Sequence, residues 1–232
     1  MTQDTTAQRD AYRPQTVADE LMARLRRKLF DGEFAPGEIL SIRKIAQEVD
    51  VSVIPARDAL RGLVVSGALA FRDSRTIIVP TLTPETLDEI TFARDAVETE
   101  LAARAFPALN GTCDDLAAID RDVDAALLNG DVSRYMAANR ALHFAIYRAA
   151  RAPTLMRIAE ELWLRIGPSM RFVCESLGGA IPASDYHADA IGALRGGDPD
   201  AFTAAIRADI SQGISEIRNH ILKSSSHTGD TQ

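Results

Sequence analysis

The apolar period of this chain shifts from helical to extended and back once, between residues 68 and 79, and that shift divides it into two unlike parts. From Thr16 onward, Val17, Leu21, Leu25 and Leu29 recur every four residues, one helical stripe ended by Asp31-Gly32. A Pro36-Gly37 turn follows. Ser41 is placed to cap a short helix, Ile42 to Val49, which Asp50 breaks. Ser52 is placed to cap the next helix. Its Pro55 falls in the first turn, where a missing N–H is tolerated, and its Leu60, Leu63 and Val64 face inward up to Gly67. Then come Ala68–Phe71, a polar Arg72-Asp73-Ser74-Arg75 turn and the β-branched run Thr76-Ile77-Ile78-Val79, a two-stranded hairpin. Three helices and a hairpin, with a tight turn between the second and third helices, make a winged helix-turn-helix over residues 15–80.

Beyond a linker at residues 81–84 only helical signals occur, at about 85–106, 112–129, 131–150, 153–176, 183–196 and 199–222. Asn110-Gly111, Asn129-Gly130, Pro153, Gly178-Gly179 and Gly196-Gly197-Asp198-Pro199 supply the breaks. The fold class is therefore mainly α: the winged unit followed by an all-α antiparallel bundle over residues 85–222, with any ligand site between helices. Residues 1–14 and 223–232 are polar and aperiodic and read as disordered tails. No internal repeat is present.

A formal charge of −7 disfavours a polyanionic partner for the chain as a whole. Its distribution reverses that inference. Residues 1–80 hold 12 basic and 11 acidic side chains, net +1, and the remainder holds 14 and 22, net −8. Arg43, Lys44, Arg57, Arg61, Arg72 and Arg75 fall on the second helix, the third helix and the hairpin turn, the elements that approach DNA in such a domain. Any one of them alone reads equally well as a solvated surface charge. Arg57 is placed to reach guanine in the major groove, Arg72 and Arg75 to meet phosphate or the minor groove, and Arg43 suits either role.

Cys113 and Cys174 lack CxxC spacing and read as buried apolar residues. The polar N-terminus has no signal-peptide core, and no stretch approaches 18 apolar residues, so a cytoplasmic protein without a membrane partner is expected.

The run from Leu40 to Leu63, with Val51-Ser52, Pro55 and Arg57-Asp58-Ala59-Leu60, resembles the DNA-binding domain of the GntR family of bacterial regulators. The helical part resembles the FadR-type ligand-binding domain called FCD, through Arg94 to Glu98, Asn139-x-x-x-His143, and His187 followed by Gly197-Asp198. The resemblance spans about residues 15–222. It implies a dimer that binds a palindromic operator through Ser52, positions 53–54 and the basic residues above, most often as a repressor, and that answers to a small organic acid. Two departures stand out. Positions 53–54 are commonly arginine and threonine in that family but are Val53 and Ile54 here, apolar side chains suited to a thymine methyl. The glycine common in the family's wing is replaced around Thr76.

Four histidines occur: His143, His187, His220 and His227. Asn139 and His143, four apart on one helix, can face one ion. By resemblance Asn139, His143 and His187 fill three positions of a divalent-metal site, with Asp209 at the fourth, where the family usually has histidine. That mixed set admits zinc, nickel, manganese or iron(II). The other reading is a polar pocket that hydrogen-bonds its ligand without an ion. His220 lies roughly 16 Å along the helix from Asp209 and cannot share that ion. By resemblance Arg94 faces the cavity as a carboxylate anchor, and it reads equally as a partner of Glu98. Arg171 is a second anchor candidate. Leu155, Ile158, Leu162, Ile166 and Trp163 read as core or dimer surface.

A rival reading is a metal-dependent enzyme with an accessory N-terminal domain, for which Glu98 is the one acid to nominate as general base. A third is a helical sensor whose altered recognition helix has lost DNA and binds protein.

Overall fold

The structure, a computed structural model, describes residues 16–73, 75–109, 113–177 and 184–228. The first tail, residues 1–14, lies outside them. The N-terminal unit runs α1 (Val17–Phe30), β1 (Ile39–Leu40), α2 (Ile42–Glu48), α3 (Val53–Val65), β2 (Ala70–Phe71) and β3 (Ile77–Ile78). Thr16 caps α1 through a reciprocal pair with Asp19, so two otherwise unpaired donors at the helix start are satisfied. Ser41 caps α2 by accepting from the Lys44 amide. Asp50 ends that helix in a left-handed conformation (φ 53°), the tight turn that sets α3 across α2. Ser52 holds the N-cap position of α3, but its side chain makes no capping bond.

The hairpin of β2 and β3 is joined by β1, which pairs antiparallel with β3 in register Ile39 to Ile78. That third strand is absent from the sequence reading because two residues are too short to show a period. Leu21, Leu25, Leu29, Leu60, Leu63, Leu69 and Ile77 close the core of this unit.

The bundle comprises α4 (Pro84–Leu109), α5 (Cys113–Leu128), α6 (Val132–Ala149), α7 (Pro153–Leu177), α8 (Tyr186–Gly196) and α9 (Pro199–Thr228). The expected second tail is corrected at its start: α9 continues through 223–228, because no glycine or proline interrupts the helix there. Linker and bundle also merge. Leu82 is buried in the bundle core and Pro84 already begins α4. No helix among the described residues is long and apolar enough to cross a membrane.

The two parts are joined through α7. Its Leu164 is fully buried in the core of the N-terminal unit, while Trp163 and Ile166 belong to the bundle core. Around this seam Arg26 donates to Glu161 (2.8 Å), Arg140 to Asp31 (2.8 Å), and Phe30 stands edge-on to Phe144 with centroids 6.0 Å apart.

Candidate metal centre and nucleic-acid face

Helices α6, α8 and α9 each place one side chain at a common point inside the bundle. His143 lies on the inward stripe of α6, one turn after Asn139. His187 sits in the first turn of α8, which Asp185 caps by accepting from the Ala188 amide. Asp209 projects from α9 between the two imidazoles. Its Oδ2 is 3.0 Å from His143 Nε2 and its Oδ1 is 3.2 Å from His187 Nε2. All three ligand atoms lie within 4.8 Å of one another. Asn139, buried, lines the same cavity together with Arg94, Tyr135, Trp163 and Met170. The cavity holds about 50 Å³, several times the roughly 10–15 Å³ that one water needs.

The buried histidine nitrogens are aimed by neighbours. His187 Nδ1 is 3.1 Å from Asp120 Oδ1, which leaves Nε2 to face the cluster. That Nε2 is buried and, although 3.2 Å from Asp209, makes no hydrogen bond of proper geometry among the described residues. A lone pair held this way suits a cation. Ligands on a tetrahedral ion with bonds near 2.0–2.1 Å stand about 3.4 Å apart, close to the two separations observed. Two imidazoles and a carboxylate, at His143, His187 and Asp209, therefore have the spacing of ligands to a divalent ion, and Asn139 lines the same cavity.

The same proximity shifts the acid–base behaviour of the ion-free cluster. Burial would lower the His187 pKa, but the Asp209 and Asp120 carboxylates outweigh it and push it up to about 10. Burial would raise Asp209, yet the two imidazoles hold it well below the usual carboxylate range.

Behind the cluster lies a second buried layer. Glu98, fully enclosed, accepts from Arg94 Nε (2.6 Å) and Nη2 (3.1 Å), from the Tyr147 hydroxyl (2.6 Å) and from Trp163 Nε1 (3.0 Å). Tyr147 in turn stands 3.1 Å from His143 Nδ1. Burial, then the Glu98 charge, raises the Tyr147 pKa well above the ordinary value, so its proton stays on oxygen.

These contacts sort the candidates. Arg94 pairs with Glu98 and also lines the cavity, its guanidinium 4.9 Å from the Trp163 ring. Glu98 does not line the cavity. It is a hub with all its donors in place, and a carboxylate so enclosed has no path to act as a general base on a bound substrate. Arg171 is not in this cavity either. It pairs with Glu175 at 3.1 Å and lines a separate cleft, because it lies on a different face of α7 from Trp163 and Met170. His220 stacks on Phe172 (3.5 Å, 8°), apart from the cluster as the spacing predicts. Sequence reasoning missed Asp120 and Tyr147. Tyr147 carries a signal, one turn from His143 on the same helical face, whereas nothing in the sequence marks Asp120 among its acidic neighbours on α5.

On the N-terminal unit the expected contact residues are all exposed. Arg57 and Arg61 from α3 and Arg75 from the wing line one concavity of about 230 Å³ with Ile42, Phe71 and Ile77. Arg43, Lys44 and Arg72 lie outside it. Lys44 stands 3.8 Å from Glu48, and Arg72 3.8 Å from Asp73. Val53 and Ile54 project from the first turn of α3, 40% and 69% exposed, while Ala56, Ala59, Leu60 and Leu63 bury its other side.

Residues 17–79 match the bacterial regulatory proteins of the gntR family, and residues 89–212 match the FCD domain. The chain is 32% identical over 156 residues to the HTH-type transcriptional regulator McbR of Escherichia coli (strain K12), covering 66% of this chain and 70% of that protein. In fold it is similar to E. coli McbR/YncC, with a TM-score of 0.80 at 24% identity over 88% of this chain and 98% of the other. A GntR-type regulator from Rhodococcus sp. RHA1 superposes with a TM-score of 0.73 at 20% identity, covering 87% and 97%. With the enclosed Glu98, these likenesses set aside the enzyme reading. The chain belongs to the GntR family of transcriptional regulators, a winged helix-turn-helix reader joined to an FCD effector-binding domain.

Proposed function

We propose that the protein is a homodimeric repressor that binds a palindromic operator through its two winged units and is released by a small organic acid held at the His143–His187–Asp209 cluster. The observation that carries this reading is the convergence of two imidazoles and a carboxylate on one cavity that also contains the Arg94 guanidinium. A divalent ion held by Asn139, His143, His187 and Asp209 would supply a Lewis-acidic point for a ligand carboxylate. Asp120 holds His187 in the orientation that presents Nε2. Trp163, Tyr135 and Met170 keep the cavity mostly apolar and small, which favours a short acid over a long one.

Regulation is linkage between this cavity and the reader. An effector acts only by binding one arrangement of the dimer better than the other, and a shift from 1:99 to 99:1 requires about 5.5 kcal/mol of that preference. Two half-sites one helical turn apart would receive the paired α3 helices. There Arg57 and Arg61 supply hydrogen bonds to bases or phosphates, Ile54 and Val53 apolar contact to thymine methyls, and Arg72, Arg75, Arg43 and Lys44 backbone contacts. Ser52 opens the helix toward phosphate.

The test is operator affinity of the full chain for DNA selected from random sequence, compared with Arg57→Ala. A loss of about ten- to a hundredfold is expected for one base contact. Equal affinities would remove Arg57 from the reading role, and failure of the wild type to select any sequence would remove the operator reading itself.

A further inference from the structure

Arg171, displaced from the metal cavity, lines a larger one of about 780 Å³ between the two domains. Its walls come from both. Ala35 and Pro36 contribute the loop after α1, Thr81 to Pro84 the linker and start of α4, Ser169, Arg171, Phe172 and Glu175 the C-terminal part of α7, and His220 and Ile221 the later part of α9. The volume falls in the range of about 300–1,000 Å³ that small-molecule sites occupy. Most of its wall is apolar, with Pro36, Leu82, Phe172 and Ile221 among the lining.

Thr81, Thr83, Ser169, Arg171, Glu175 and His220 are the polar residues of the lining, and Arg171 is the cationic one that the Glu175 carboxylate only partly engages. Ser169 lines this space although the residue is only 3% exposed. Arg171 gives only its Nε–H to Glu175 (3.1 Å), so the Nη edge of its guanidinium has no hydrogen-bond acceptor among the described residues. A planar cationic edge matches a carboxylate or sulfonate oxygen pair.

We propose that this interdomain cavity is a second ligand site, separate from the metal cluster, and that it takes an amphipathic organic anion: an aromatic or branched apolar body against Leu82, Phe172 and Ile221, with its anionic head at Arg171 and Ser169. An occupant touches the reader's loop, the linker and two sensor helices together. Its affinity therefore depends on how the two domains sit, which gives the regulator an input of different chemistry from that of the metal cavity.

The probe is anilinonaphthalene sulfonate, an aromatic anion whose emission rises in an apolar site, titrated against the full chain. One saturable site per chain is expected. Both Arg171→Glu and Ser169→Leu should weaken it by about tenfold or more, as expected for loss of a charge-assisted hydrogen bond or of space. His143→Ala should leave it unchanged. Equal binding in wild type and Arg171→Glu overturns the proposal, as does loss of the signal in His143→Ala, which would place the dye at the metal cluster. If Arg171→Glu instead changes the oligomeric mass by light scattering, the cleft is a contact between copies and the proposal fails. Arg171 is one-third exposed, so its variants decide the matter even where Ser169→Leu does not fold.

Discussion

Gly167 on α7 meets the end of α1 backbone to backbone: a Cβ at position 167 would lie 2.6 Å from the carbonyl oxygen of Leu29 and 3.3 Å from Phe30 Cα. On the same helix, Trp163 donates to Glu98 beneath the His143–His187–Asp209 cluster and Met170 lines its cavity. One rigid element thus touches both the cavity of the His143–His187–Asp209 cluster and the N-terminal unit. Helix α6 repeats the arrangement, with Asn139 and His143 in the cavity and Arg140 and Phe144 against Asp31 and Phe30.

Gly167→Ala forces that seam apart, since the clash is with backbone and no flexible side chain can yield. Overpacking of this kind costs about 1–3 kcal/mol, partly offset by about 1 kcal/mol of helix propensity. Urea unfolding followed by Trp163 fluorescence should show the loss, with easier proteolysis between the domains. A variant as stable as wild type would mean that α1 and α7 are not packed this closely in solution.

Glu98→Gln keeps the shape of the hub and removes its charge, so the buried Arg94 guanidinium is left without a counterion. Breaking a buried pair from one side costs about 3–5 kcal/mol. The expected result is a large drop in the urea midpoint with the slope unchanged. A drop below about 1 kcal/mol, the scale of exposed pairs, would place Arg94 and Glu98 in water.

Asp120→Ala removes the carboxylate that orients His187 without touching a ligand atom. Loss of such a partner typically weakens metal affinity about 10–100-fold. Competition against a chromophoric chelator measures it, with Asp122→Ala, an exposed residue paired with Arg134, as the control. Identical affinities for the two variants would show that Asp120 does not support the site.

Removal of the ion should lower thermal stability in proportion to its binding. An ion at a hundred times its dissociation constant stabilises the folded chain by about 2.7 kcal/mol. Scanning calorimetry with and without a chelator should therefore separate the transitions in wild type and merge them in His143→Ala. A chelator effect of the same size in both would move the ion elsewhere.

Much of this molecule is legible in the chain. The four-residue leucine stripe, the cap at Ser41 and the β-branched run around Ile77 each place an element, because each is a local preference that tertiary packing reinforces. His143 and Asn139 share a face by helical geometry alone. The rest depends on contacts distant in sequence. Asp120 and His187 are 67 residues apart, and Tyr147 and Glu98 49 apart, so no spacing rule joins them. Arg171 went astray because a helix period says which residues share a stripe, not which of two cavities that stripe faces. Strand β1 escaped because its pairing with β3 creates it.

Elemental analysis of the full chain, purified without a metal-affinity tag, tests the central claim most directly. About one equivalent of a divalent transition metal per chain is expected in the wild type, and almost none in His143→Ala or Asp209→Ala at unchanged fold by circular dichroism. No metal in any of the three, after dialysis against zinc, nickel, manganese and iron(II) in turn, would contradict it.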